Sequence, residues 1–335
     1  MPHESAPLLS TGLSWCQKGH RVALATVVKT WGSSPRPAGS LLVICETGDF
    51  VGSVSGGCIE GAVITAAQAT MSDGKPQLLQ FGVTQEMAWE VGLACGGRVE
   101  VFVERVDAEL LTRLVSALCE RRPLLVLTSL TSGDKWLLES GLQPQCPDEL
   151  RAAVTSTLQG DTTTEQELSD GRRFFLWPCL PSVRVLIFGA VHTAQPLGQM
   201  AQQCGFDVTV IDPRAAFAST ARFPDVTLIR EWPEQALLQL PIDQRTAVVT
   251  LTHDPKLDDP ALLAALRSEA FYVGALGSGK THASRLRRLA EQACSAEQLA
   301  RIHGPVGLRI GARSPAEIAV SILGQLISVL RRERE

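Results

Sequence analysis

V-R-V-L-I-F-G-A-V-H-T-A, residues 183–194, is the stretch that decides the fold. Residues 183–188 are apolar apart from Arg184 and do not alternate with polar ones. A strand of a parallel sheet reads this way, because helices cover both of its faces. Gly189 closes the run, and residues 193–204 continue as a helix. The same pattern recurs outward: 207–211, 246–251 and 271–276 read as strands with helical segments between them. Strand and helix in alternation build a doubly wound parallel sheet. S-P-A-E at 314–317 predicts a further helix to about residue 330, with Ser314 as N-cap, Pro315 in the first helical position and Glu317 closing a capping box.

Before residue 181 the chain has another character. Residues 21–29 and 99–103 are strands, and 40–45 and 50–54 flank the turn T-G-D at 47–49. A second hairpin joins 124–129 to 136–138 across S-G-D at 132–134, and 173–177 is a last strand. Residues 60–71, 108–119 and 148–158 read as helices, and 160–170 as a polar, exposed segment. Pro35 and Pro37 deny residues 30–38 regular ladder pairing. The expectation is an α/β protein: a mixed α+β domain over 1–180, then a Rossmann-like doubly wound domain over 181–335.

Composition narrows the function classes. A net charge of −4 over 335 residues lacks the basic surface of a nucleic-acid binder. No apolar run approaches the ~18 residues of a membrane span. No signal peptide is evident at the N-terminus. Nine cysteines, scattered and odd in number, fit a reduced cytoplasm better than a disulfide framework.

The turn G-A-V-H-T-A at 189–194 keeps the first glycine and last alanine of the dinucleotide fingerprint G-x-G-x-x-G/A, with Val191 in the middle position. Asp212 ends the next strand, where an acid binds a ribose hydroxyl, and Arg214 is available for a phosphate. His253 and Asp254 follow the strand 246–251, with Asp254 either orienting the imidazole or capping the next helix. Residues 274–281, G-A-L-G-S-G-K-T, match the P-loop pattern. Short motifs match by chance, and anion binding by the helix start with Ser278 and Lys280 is the plainer reading. Arg285, Arg287 and Arg288 read as a solvated basic face.

In the first half, G-S-V-S-G-G-C-I-E at 52–60 and A-C-G-G at 94–97 set Cys58 and Cys95 beside paired glycines, each near a carboxylate, Glu60 or Glu100. Such loops suit thiolate chemistry: a metal contact, a persulfide, or attack on an electrophile. Ser34 and Arg36, in G-S-S-P-R-P-A-G at 32–39, bind an anion or merely structure a turn. The other cysteines have no such setting and read as structural.

These motifs together resemble the XdhC/CoxI family, the xanthine dehydrogenase accessory proteins. The resemblance extends through F-G-A-V-H at 188–192, D-P-R at 212–214, L-T-H-D at 251–254, G-A-L-G-S at 274–278, G-P-V-G-L-R-I-G at 304–311 and S-P-A-E-I-A at 314–319. It implies a chaperone rather than an enzyme. Such a protein binds the molybdenum cofactor, as molybdopterin or molybdopterin cytosine dinucleotide. It assists sulfuration by a cysteine desulfurase and delivers the cofactor to an apo-molybdoenzyme of the xanthine oxidase family. Cys58, Glu60, Cys95, Ser34, Arg36, Gly189, His192, Asp212, Arg214, His253, Asp254, Ser278 and Lys280 are then the candidate cofactor-binding residues, with Cys58 the candidate molybdenum contact. The family usually has G-A-G-H where Val191 stands, and paired basic residues where Gly279 and Lys280 stand. An NAD(P)-dependent oxidoreductase is the alternative. A homodimer is written in no motif.

Overall fold

The computed structural model describes residues 2–32, 36–82, 98–139 and 147–331. The chain divides into two units, Met1–Pro181 and Ser182–Glu335. In chain order the first unit contains α1 (Pro2–Gln17), β1 (Val22–Trp31), β2 (Leu41–Cys45), β3 (Phe50–Gly52), α2 (Glu60–Asp73), β4 (Gln77–Gly82), β5 (Arg98–Val106) and α3 (Ala108–Cys119). It continues with β6 (Leu124–Ser129), β7 (Lys135–Glu139), α4 (Arg151–Gln159), β8 (Thr164–Glu167) and β9 (Arg173–Cys179).

Two antiparallel sheets result, in the orders β3-β2-β1-β5-β4 and β7-β6-β9-β8. β1 is central and buried on both faces from Val22 to Val28, which explains its apolar and β-branched residues there. Val22, Leu24 and Val28 pack with Leu9 of α1 and Leu111 and Leu114 of α3. Ala23, Ala25 and Val27 face the other way, toward Val63, Ala67 and Met71 of α2. Side chains alternate across a strand, so one segment serves both cores.

In the first unit β8, β4 and α1 differ from the sequence expectations, as do the short edge strands at 227–229 and 302–303 in the second. The polar segment 160–170 contains β8, and residues 77–82 form β4, which had no expected element. Both are edge strands. β8 carries Glu165, which pairs with Lys29 and Arg173, so ladder bonds and ion pairs hold it rather than an apolar stripe. α1 was likewise not expected, and its Leu9 is fully buried.

The second unit contains β10 (Arg184–Phe188), α5 (Ala194–Gln203), β11 (Asp207–Ile211), β12 (Thr227–Ile229), α6 (Pro233–Gln239), β13 (Thr246–Thr250) and α7 (Pro255–Leu266). β14 (Tyr272–Ala275), α8 (Gly279–Glu291), α9 (Ala296–Ala300), β15 (Ile302–His303) and α10 (Pro315–Leu330) complete it. The sheet is parallel, in the order β12-β11-β10-β13-β14-β15. Counted within the unit this is 3-2-1-4-5-6, the Rossmann order, with its reversal between β10 and β13. Leu197 of α5 and Ile322 and Leu326 of α10 cover one face. Ala236 of α6, Leu262 of α7 and Leu289 of α8 cover the other. Ser314 and Glu317 form the expected capping box at the start of α10.

Candidate functional site

In the first unit the glycine-rich loop 52–60 folds around its own carboxylate. Glu60 lies in the first turn of α2, and its side chain turns back into the loop. Its Oε1 accepts from the Ser53 hydroxyl (2.7 Å) and from the backbone N–H groups of Val54, Ser55 and Gly56 (3.2, 2.9 and 3.1 Å). Its Oε2 accepts from Gly57 N–H (2.9 Å) and the Ser55 hydroxyl. Gly56 and Gly57 have φ of 83° and 120°, which aims successive amides inward at a conformational cost only glycine escapes. Burial works against the charge, but the hydroxyls of Ser55 and Ser53 and the Ser55 amide outweigh it and hold the carboxyl down at about 2.

This geometry corrects the reading of Glu60 as a cofactor ligand: its acceptors are spent on the loop. What the loop presents is Cys58. That residue is half-buried, donates its N–H to the Ser55 hydroxyl (3.0 Å) and stands two residues before the start of α2. Spacing alone revealed the Cys58–Glu60 pair, but not the two serines that complete the cradle. Arg36 is half-buried in its turn. Cys95 and Ser34 lie outside the described residues. Among the other cysteines, Cys45, Cys179 and Cys294 are buried, whereas Cys119 and Cys204 are exposed and fill no core. Among the described residues no cluster of His, Cys, Asp or Glu is arranged to hold a metal ion by itself.

In the second unit the candidate residues gather at the carboxyl ends of the parallel strands. Gly189 ends β10 with φ 109°, and a Cβ there would lie 2.4 Å from the Thr252 methyl. Val191, where the fingerprint has a glycine, packs partly against the core, and His192 beside it is exposed.

Asp212 is fully buried. Oδ2 accepts from Ala190 N–H (2.8 Å) and Arg214 Nη2 (2.7 Å), and Oδ1 from Arg214 N–H and Nε (both 2.9 Å). Burial disfavours its charge, but these bonds more than compensate and the carboxyl is held below its ordinary range. The side chain expected to meet a ribose therefore ties the β10 turn to Arg214. Arg214 is the group it presents: 41% exposed, fixed edge-on by Asp212, with its guanidinium 4.3 Å from the centre of the Phe217 ring. A cation so held is preorganised for an anion.

Asp254 caps α7, accepting from Lys256 N–H (3.0 Å), the second of the two readings its position offered. His253 is exposed at φ 68°, and its N–H donates to buried Asp258 (3.2 Å), which also accepts from the Thr252 hydroxyl (2.6 Å). Asp258 is a residue the motif did not announce. It faces Arg285 at 3.5 Å. Arg285 is 1% exposed and donates to the Leu276 carbonyl (2.7 Å), so it is a strut from α8 to α7 and the loop after β14 and no part of a solvated face. Arg288 is likewise engaged, with Asp259.

Ser278 caps α8 by accepting from Thr281 N–H (3.2 Å), with Lys280 exposed in the first turn. The first glycine of the P-loop match, Gly274, lies inside β14, where a Cβ would meet Val306 at 2.6 Å. Only residues 276–278 connect β14 to α8, too few to wrap a triphosphate.

Comparison with known proteins agrees with these features. Residues 15–82 match the family described as "XdhC and CoxI family", and residues 185–326 match the "XdhC Rossmann domain". The "Molybdenum cofactor insertion chaperone PaoD" of Escherichia coli (strain K12) is 30% identical over 95% of this chain and 86% of its own length. A protein of Bacillus subtilis (strain 168) named as a probable xanthine dehydrogenase subunit is 28% identical, over 92% of this chain and 93% of its own. The crystal structure of a xanthine dehydrogenase from Bacillus halodurans superposes with a TM-score of 0.71 at 26% identity, covering 97% of this chain and 96% of that one. One family model falls in each unit, the chaperone relative matches over 95% of the chain, and the chain belongs to the XdhC/CoxI family.

Proposed function

We propose that this chain is a molybdenum cofactor insertion chaperone. It carries the cofactor as cargo, protects it while a cysteine desulfurase supplies the terminal sulfur, and delivers it in the cytoplasm to an apo-enzyme of the xanthine oxidase class. It catalyses no turnover of its own. The observation that carries this reading is the similarity, through 95% of the chain, to a protein named as such a chaperone.

The local chemistry supports it. Molybdopterin ends in a phosphate, and its dinucleotide form has a pyrophosphate. Arg214, pinned by Asp212 and Phe217, supplies a fixed cation for such a group. The start of α8, with Lys280 beside it, supplies amides and a second charge. Cys58, on a loop that Glu60 holds rigid, is a soft sulfur ligand for molybdenum or its terminal sulfur.

Incubation with excess cofactor under anaerobic conditions, gel filtration and mass spectrometry of the retained ligand test the proposal. Stoichiometric pterin and molybdenum are expected, and an empty protein overturns it. Cys58→Ala is expected to keep the pterin and lose molybdenum or sulfur, and unchanged metal, sulfur and client activation remove the claim for Cys58. An NAD(P)-dependent oxidoreductase is the second reading, favoured by the strand order. Val191 and the occupied Asp212 speak against it, and a thermal shift with NADH decides: no stabilisation is expected.

A further inference from the structure

A shallow cavity of about 500 Å³, largely open to solvent, lies in the second unit, lined by Trp232, Glu234, Gln235, Lys256 and Pro260. Trp232 follows β12 and Lys256 follows β13, so both lie beyond the carboxyl ends of parallel strands. β11 and β10 run between those two strands, and the end of β11 carries Asp212 and Arg214. The cavity is thus at the edge where open parallel sheets take ligands, on the side covered by α6 and α7.

Its chemistry is specific. Trp232 is 47% exposed, so its indole face is open to a ligand at the mouth of the cavity. It stacks on no ring and caps no helix by its side chain among the described residues. Glu234 offers acceptors only, Gln235 both a donor and acceptors, and Lys256 a cation that pairs with no carboxylate among the described residues. An indole face with a carboxylate and an amide at its rim fits a nucleobase that has an exocyclic amine, because a carboxylate accepts from that amine and rejects a carbonyl in its place.

We propose that this cavity binds the amino-bearing base, cytosine or adenine, of a nucleoside phosphate. Trp232 stacks on the base, Glu234 accepts from its amine, and Lys256 faces the phosphate side. The inference deepens the function proposed above by assigning the cavity to the nucleotide end of a dinucleotide cargo. A free nucleotide in its own right has the same chemistry.

Calorimetric titration of the full chain with CMP, AMP and UMP tests it, together with cofactor retention by the same preparations. CMP or AMP is expected to bind at least about tenfold more tightly than UMP. Trp232→Ala is expected to weaken that binding by about tenfold or more, and Trp232→Phe to restore most of it. Glu234→Gln is expected to abolish the preference over UMP. Equal affinity in wild type and Trp232→Ala, or no binding of either nucleotide, overturns the inference. If the cofactor is nevertheless retained, and equally by Trp232→Ala, the chaperone reading stands without this pocket. If nucleotides bind as expected and no cofactor is retained, the pocket stands and the chaperone reading falls. Loss of both nucleotide and dinucleotide cofactor in Trp232→Ala, with the mononucleotide-free cofactor unaffected, identifies the cargo's own tail as the occupant.

Discussion

Glu60 shows how a residue can be conspicuous in a motif and still be misread. The loop 52–60 marked it, but nothing in one sequence says whether a carboxylate faces a ligand or its own backbone. Four backbone N–H groups and two serine hydroxyls of its own loop fill its acceptors. Its folded-state pKa of about 2 lies below the ordinary 4.5, so its stabilising effect is complete above 4.5 and fades as the pH falls toward 2. Glu60→Gln is expected to cost on the order of 2 kcal/mol at neutral pH and to flatten acid unfolding between those limits, measured by urea titration across pH. An unchanged acid limb contradicts the assignment. Asp212 repeats the lesson. Its position was legible from the strand end, but its partner, the Ala190 amide, lies at the end of the neighbouring strand, 22 residues away in sequence. Arg214→Ala leaves that buried carboxylate with two backbone N–H donors and no cation, and is expected to destabilise the fold by about 3 kcal/mol. Arg214→Lys is expected to fold better but to retain less cofactor, because an ammonium lacks the planar fork that Asp212 and Phe217 hold. Equal retention by Arg214→Lys speaks against a role in phosphate binding.

At the scale of elements, legibility followed burial. β10, β11, β13 and β14, the four inner strands of the parallel sheet, announced themselves as apolar runs and the central β1 as a run rich in β-branched residues, because both faces of each are covered; the short edge strands β12 and β15 did not. The edge strands β4 and β8 did not, since half of an edge faces solvent and polar residues serve there. Turns were read for their glycines but not for what those glycines avoid. Gly189→Ala places a methyl 2.4 Å from Thr252 at a φ of 109° and is expected to cost at least about 2 kcal/mol in denaturant unfolding. Gly279→Ala, in the first turn of α8 with nothing within 4 Å of the added methyl, is expected to be neutral or slightly stabilising. Equal effects of the two substitutions contradict the close approach of the β10 turn to the loop after β13. The strut Arg285–Asp258 was hidden for another reason. An arginine on an amphipathic helix reads as solvated unless the carboxylate it faces, on a different helix, is known.

At the scale of the molecule, the fold class was legible because a doubly wound unit and an antiparallel unit write different periodicities into one chain. The triphosphate reading was not separable by letters alone; only the position of Gly274 inside β14 decided it. Among the described residues no helix is long and apolar enough to cross a membrane. The proposed carriage rests on a fixed cation and helix start in one unit, a held cysteine loop in the other, and similarity over 95% of the chain to a protein named as a cofactor insertion chaperone. Transfer tests this most directly. Cofactor-loaded protein is mixed anaerobically with an apo-enzyme of the xanthine oxidase class in the presence of a scavenger of free cofactor, and restored activity is followed in time. Carriage predicts activation that scales with loaded protein and exceeds that from the same amount of free cofactor; activation no greater than that from free cofactor contradicts it.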